Sequence, residues 1–197
     1  EFQPDILESY PSMLFEVARA LELNPNLPRV RVRYVVCVGE MLSEAARKYL
    51  HEQFLCPVYN RYGAEELGAV AGECKEHNGM HLNVESVIVE ILDERGNPIL
   101  DGGAGRVIAT DLLNFNMPFI RYETGDSGRI DSSPCACGLS TPRIFIEGRY
   151  TAFLTTARRR IHHLEIDSAL DSFMNQIIQY QVAKISDGTS NTFNTTF

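Results

Sequence analysis

Three short stretches of this chain carry side chains whose types and spacing can do chemistry. Cys135 and Cys137 stand one residue apart, and "ECKEHNGMHLN" upstream offers Cys74 with His77 and His81. A Cys-x-Cys pair makes a strained disulfide but a good thiolate grip on one metal ion. Joined by Cys74 and one of the two histidines, it gives three sulfurs and one nitrogen, a donor set that selects zinc over magnesium or calcium. Four protein ligands leave no open position, so such a zinc would be structural.

"RYETGD" sets Asp126 directly after Gly125, where a carboxylate can accept hydrogen bonds from both hydroxyls of a ribose. Thr-Gly-Asp is equally ordinary turn chemistry. In "YNRYGAEELG", Tyr62 before Gly63 offers a ring face for stacking beside a backbone that a planar ligand can approach, and Glu66 offers an oxygen to a divalent cation. The same residues also read as a strand-to-helix turn, with Glu65 and Glu66 favouring a helix N-terminus. Arg149, after Gly148, can reach ribose or phosphate oxygens, or pair with a surface carboxylate.

The elements that must position these groups change character along the chain. Leu14, Val17, Ala18 and Leu21 recur at helical spacing after Pro11 and stop at Asn24-Pro25-Asn26. Residues 30–38 read as a strand entering a covered sheet, Ser43 as the N-cap of a helix over 44–54, and Pro57-Val58-Tyr59 as the start of another strand. Beyond Gly79 the pattern becomes an antiparallel meander, with strands over 84–92 and 106–111 and a third at "PFIRY". A boundary falls near "EGRY", dividing residues 1–149 from a smaller domain over 150–197. That smaller part carries the basic run Arg158-Arg159-Arg160, His162-His163 at a helix start, a helix over 164–176 and a strand over 177–185; the polar tail reads as one further strand at most.

With 197 residues, 44% of them hydrophobic, the chain can bury a sizeable core. Its formal charge of −8 gives no basic face for a phosphate backbone, which excludes nucleic acid as the expected partner. No apolar run approaches a membrane span, and the beginning lacks the pattern of a signal peptide, so the expected setting is the cytoplasm. The odd number of cysteines fits reduced thiols, with Cys37 and Cys56 as packing residues.

Taken in order, "VVCVGEML", "YNRYGAEELGAVAGEC", "GMHLNVESVIVEILDERGNPI", "GRVIATDLLNFNMPFIRYETGD" and "CACGLSTPRIFIEGR" resemble the adenylate-forming enzymes, in the branch of phenylacetate-coenzyme A ligases and CapK-type capsular polysaccharide biosynthesis proteins. The resemblance implies a mixed α/β fold. Residues 1–149 would be the C-terminal portion of the AMP-binding large domain, with an α/β layer and an antiparallel meander or barrel. Residues 150–197 would be the hinge and start of a small α+β domain. It also implies activation of a small carboxylic acid by ATP and magnesium to an acyl-adenylate, commonly followed by transfer to a thiol such as coenzyme A.

On that pattern Gly39, Glu40, Asn60, Arg61, Tyr62 and Gly63 form the adenine wall, Glu66 matches the magnesium-binding glutamate, Asp126 the ribose-binding aspartate, and Arg149 the hinge arginine. Similar Cys and Gly-x-His positions favour Cys74, His81, Cys135 and Cys137 as the zinc ligands, with His77 as the substitute for His81. There are departures. The family's glycine-rich phosphate loop and its C-terminal lysine have no counterpart in these residues, Glu65 stands where Ser, Thr or Arg is usual, and Tyr150-Thr151-Ala152 replaces a hinge aspartate. These residues alone are therefore expected not to catalyse adenylation; the alternative reading is a non-catalytic, zinc-stabilised nucleotide-binding or interaction module.

Overall fold

A computed structural model describes residues 4–28, 31–100 and 102–150, together with 153–155, 160–162, 166, 169–170, 182–186 and 191–195. It divides into two compact units, Glu1–Tyr150 and Thr151–Phe197. The first holds a nine-stranded sheet in the order β1-β2-β3-β4-β5-β9-β8-β7-β6.

The α/β part is short and parallel. Strand β1 (Ile6–Ser9) lies beside β2 (Tyr34–Val38), and β2 lies beside β3 (Val58–Ala64), all parallel. Helix α1 (Pro11–Leu23) begins with Pro11, whose missing N–H costs nothing in the first turn, and buries Leu14 and Ala18 four residues apart on one face. Helix α2 (Glu44–Phe54) is capped by the Ser43 hydroxyl, which accepts the Ala46 N–H at 3.2 Å. It ends at Leu55 in the left-handed conformation (φ 54°), just before Cys56 and Pro57. Leu14, Ala18, Leu50, Val35, Cys37 and Val58 share one core. Truncating fully buried Leu14 or Leu50 to alanine should cost about 2–5 kcal/mol.

The antiparallel part runs through β4 (Gly68–Glu73), β5 (Met80–Leu82), β6 (Val87–Leu92), β7 (Gly105–Asp111), β8 (Tyr122–Asp131) and β9 (Arg143–Arg149). Val70 of β4 packs in one core with Val87 and Ile91 of β6, Val107 of β7 and Ile144 of β9, so this half of the sheet curls upon itself.

Several sequence expectations are corrected here. "NRYGAEELG" is a β-hairpin and not a strand-to-helix turn: β3 and β4 pair antiparallel around Glu65-Glu66-Leu67, with a register shift at Tyr62/Gly63. A Cβ on Gly63 would lie 2.4 Å from the Gly68 carbonyl oxygen, so the close return of the chain requires glycine there. "PFIR" is loop, and the third strand begins at Tyr122. Pro118 has no N–H to give a ladder, while Asp111 Oδ1 accepts the Leu113 N–H at 2.8 Å and holds the preceding turn. Thr124-Gly125-Asp126 lies inside β8, with Gly125 at φ 78° as a local kink. The strands expected from 30 and from 84 begin at Tyr34 and Val87.

In the second unit β10 (Phe153–Thr155) pairs with β11 (Arg160–His162), and β12 (Val182–Ser186) with β13 (Asn191–Thr195), both antiparallel. The tail thus supplies a strand, and His162 ends a strand instead of starting a helix. Of the helix expected over 164–176, Ile166, Ala169 and Leu170 are helical and the rest lies outside the described residues, as do Arg158, Arg159, His163 and residues 177–181.

Candidate functional site

Two clusters lie in the first unit. The first gathers on β3, β8 and β9. The Tyr62 hydroxyl donates to Asp126 Oδ2 at 2.6 Å. Cross-strand register sets Asp126 opposite Arg149, whose Nε lies 3.5 Å from Asp126 Oδ1 and whose Nη1 donates to the Thr124 carbonyl at 2.9 Å. The Asp126 N–H donates to Thr124 Oγ1 at 3.2 Å, and that hydroxyl donates to the Val107 carbonyl, so the kinked segment is tied to β7. Burial pushes the Tyr62 phenol well above its ordinary range, and the bond to Asp126 adds to the shift.

Glu66 projects from the β3–β4 turn toward β8, where Tyr122 Oη donates to its Oε1 at 2.6 Å. That hydrogen bond holds the Glu66 carboxyl below the usual carboxylate range, with a smaller contribution from the Arg149 charge. Glu66 therefore shares an electrostatic environment with Asp126 and Arg149 although the chain separates them.

The other sequence candidates for this site make contacts of their own. Gly39, one residue past β2, sits at φ 74° against the Tyr10 ring, where a Cβ would approach within 2.5 Å. Both Glu40 carboxylate oxygens accept from Ser12, one from its N–H at 2.9 Å and one from its hydroxyl at 2.8 Å, capping α1. The Asn60 N–H donates to Glu73 Oε2 at 2.7 Å, and Arg61 pairs with Glu8 at the surface.

The second cluster consists of Cys74, His81, Cys135 and Cys137, whose ligand atoms all lie within 4.8 Å of one another. Cys74 Sγ is 3.8 Å from Cys135 Sγ, and Cys137 Sγ is 3.4 Å from His81 Nε2. Tetrahedral zinc with Zn–S bonds of about 2.3 Å would separate its sulfurs by about 3.8 Å, so the donor set fits that ion. His81 Nδ1 lies 3.0 Å from the Thr141 carbonyl; carrying the proton there, the ring presents its Nε2 lone pair to the thiols. Cys135 is drawn down to about 7, chiefly by the Cys137 N–H, whereas burial pushes Cys74 up. Cys37, raised by burial to about 12, and Cys56, also raised by burial, are packing residues.

His77 stands apart from this set. In the left-handed conformation (φ 50°), it stacks on Tyr59 and places Nδ1 3.2 Å from Glu73 Oε2. Glu73 in turn takes Arg47 Nη2 at 2.7 Å and Nη1 at 2.8 Å, a buried bidentate pair joining α2 to β4. Sequence reasoning misses this pair, as it misses Tyr122 and the buried Arg143. Arg143 donates to the Asn78 carbonyl at 3.0 Å, to Asp131 Oδ2 at 2.7 Å and to Ser133 Oγ at 2.9 Å, touching both loops that carry the cysteines. A 3.5-to-3.6 or period-2 pattern contains no signal for such long-range pairs.

The chain is 27% identical over 197 residues to a phenylacetate-coenzyme A ligase of Thermus thermophilus, covering 96% of this chain and 44% of that one. It is 26% identical to protein CapK of Staphylococcus aureus, over 92% of this chain and 39% of CapK. The chain is a relative of the phenylacetate-coenzyme A ligases and of CapK. Its fold matches a crystal structure of 2-hydroxyisobutyryl-CoA ligase in the postadenylation state, in complex with R3-HIB-AMP, with a TM-score of 0.86 and 19% identity over 98% of this chain and 43% of that one. No protein-family model matches the chain. The chain thus spans less than half the length of these relatives. Among the described residues no helix is long and apolar enough to cross a membrane.

Proposed function

We propose that these residues form the nucleotide-holding part of an ATP-dependent ligase that activates a small carboxylic acid as its acyl-adenylate, with coenzyme A as the thiol acceptor. The observation that carries this reading is the convergence of Tyr62, Asp126 and Arg149. Asp126 accepts from the ribose hydroxyls, the Tyr62 ring stacks on the base, and Arg149 pairs with ribose or phosphate oxygens. Glu66, kept ionised by Tyr122, is the residue that would hold magnesium, which when bound would neutralise phosphate charge. Gly39, Glu40, Asn60, Arg61 and Gly63 shape the wall behind the base through their backbone. Cys74, His81, Cys135 and Cys137 would hold a structural zinc, since their donor atoms close on one another. Titration of the purified chain with AMP, and with ATP and magnesium, tests the nucleotide reading: saturable binding that Asp126→Ala abolishes supports it, and no binding by either nucleotide sinks it.

One observation favours a second reading, a nucleotide-binding or interaction module without catalysis. Glu65 is exposed beside Glu66 in the hairpin turn, and its charge opposes that of ATP phosphates. Acid-dependent exchange of pyrophosphate into ATP, assayed on this chain and on the longest polypeptide that contains it, separates the two readings.

A further inference from the structure

The shortest ladder of the nine-stranded sheet is the seam between β5 and β9. Between β5 and β9 the ladder consists of Met80 opposite Ile144 and His81 opposite Arg143, extended by the Leu82 N–H to the Pro142 carbonyl at 2.9 Å. By contrast the β8–β9 ladder extends from Asp126 opposite Arg149 to Asp131 opposite Arg143, with one register shift between Ser127 and Gly128. The seam joins β1 to β5 on one side with β9 to β6 on the other.

The metal donors straddle it. Cys74 and His81 belong to the β4–β5 side, and Cys135 and Cys137 to the loop between β8 and β9. Arg143 crosses the same seam, bonding Asn78 on one side and Asp131 and Ser133 on the other. It is 2% exposed, and its Nε is buried without a hydrogen-bond partner among the described residues.

The nucleotide cluster straddles the seam too. Tyr62 and Glu66 come from the β3–β4 side, while Asp126, Tyr122 and Arg149 come from the β8–β9 side. We propose that metal bound by Cys74, His81, Cys135 and Cys137 is a staple across the β5–β9 seam, and that its occupancy aligns Tyr62 and Glu66 against Asp126 and Tyr122. Metal and nucleotide then bind with mutual reinforcement. The linkage rests on the nucleotide reading above, whereas the staple rests on topology alone.

The experiment uses the whole chain, loaded with zinc or stripped by a chelator, with AMP and zinc as probes. Stripping should weaken AMP binding by roughly tenfold, and saturating AMP should tighten zinc by the same factor, because coupling between two sites is reciprocal. Hydrogen exchange should speed up selectively at His81, Leu82 and Ile144 and leave the β6–β7 amides protected; Cys137→Ser, a milder lesion than stripping, should give the same pattern. Equal AMP affinity with and without zinc overturns the linkage while the nucleotide reading stands. No AMP binding by the zinc-loaded chain overturns that reading and the linkage with it. Unchanged exchange at the seam, or acceleration spread evenly over β6–β7, overturns the staple.

Discussion

Tyr62 and Asp126, 64 residues apart in the chain, meet in a 2.6 Å hydrogen bond that joins the β3–β4 hairpin to β8. The bond fixes the tyrosine ring over the edge of a kinked strand and leaves the second carboxylate oxygen facing Arg149. On the proposed nucleotide reading, base stacking and ribose recognition would depend on one contact between two elements that the sheet holds far apart in strand order.

Removing that contact should separate the two roles. Tyr62→Phe keeps the ring and loses the hydroxyl, so AMP affinity should fall by a few-fold, consistent with about 0.5–1.5 kcal/mol for one hydrogen bond. Asp126→Ala removes the proposed ribose acceptor and the carboxylate that faces Arg149, and should reduce affinity by well over tenfold. Calorimetric titration with AMP checks both; equal affinity for the two variants would contradict the division of roles.

The Glu66–Tyr122 bond should be visible as a titration. Glu66 is held below the ordinary carboxylate value near 4.5, so its contribution is present above that pH and lost as pH falls through the depressed value. Tyr122 is held above its ordinary value of 10.0, so its half is complete below that pH and lost as pH rises through the raised one. In Tyr122→Phe the Glu66 carboxyl should move back up toward the ordinary value. Carbon-detected NMR titration of the glutamate side chains reads the shift, and an unmoved Glu66 would show that the bond does not form in solution.

The local parts of this fold are legible in the sequence, and the reasons are local. Helix α2 is readable because Ser43 caps it and apolar spacing ends at Leu55, and α1 because Pro11 opens it. The spacing of Cys135 and Cys137 marks them as a candidate metal grip, yet which histidine joins them is set by strand register: β5 carries His81 to the thiols, while the left-handed turn sends His77 toward Glu73. The β3–β4 hairpin is misread because Glu65 and Glu66 favour a helix start and the glycines break the strand alternation. Strand β5 is three residues long, too short to carry a period.

The two Arg–Glu pairs should differ sharply in what they contribute. Arg47 and Glu73 have side chains only 12% and 7% exposed, so Arg47→Met leaves a buried carboxylate beside His77 and should destabilise the first unit by roughly 3–5 kcal/mol. Arg61 and Glu8 are 42% and 41% exposed, and Arg61→Ala should cost no more than about 1 kcal/mol of stability. Urea unfolding of the variants measures the difference, and a similar cost for both would mean that the inner pair is not closed to water.

Zinc content decides which histidine is the ligand. Metal analysis of the purified chain should find about one zinc per chain, and His77→Ala should keep it, because His77 is engaged with Glu73 and Tyr59. His81→Ala removes the Nε2 that lies 3.4 Å from Cys137 Sγ and should lose the stoichiometric metal. Thr141→Val isolates the supporting contact, since it deletes the hydroxyl 3.0 Å from His81 Nδ1 but keeps the carbonyl that fixes the ring. Its zinc affinity should therefore fall by less than the roughly 10–100-fold seen when an outer partner of a ligand is lost outright. Retention of one tightly held zinc by His81→Ala, with loss in His77→Ala, would reverse the assignment.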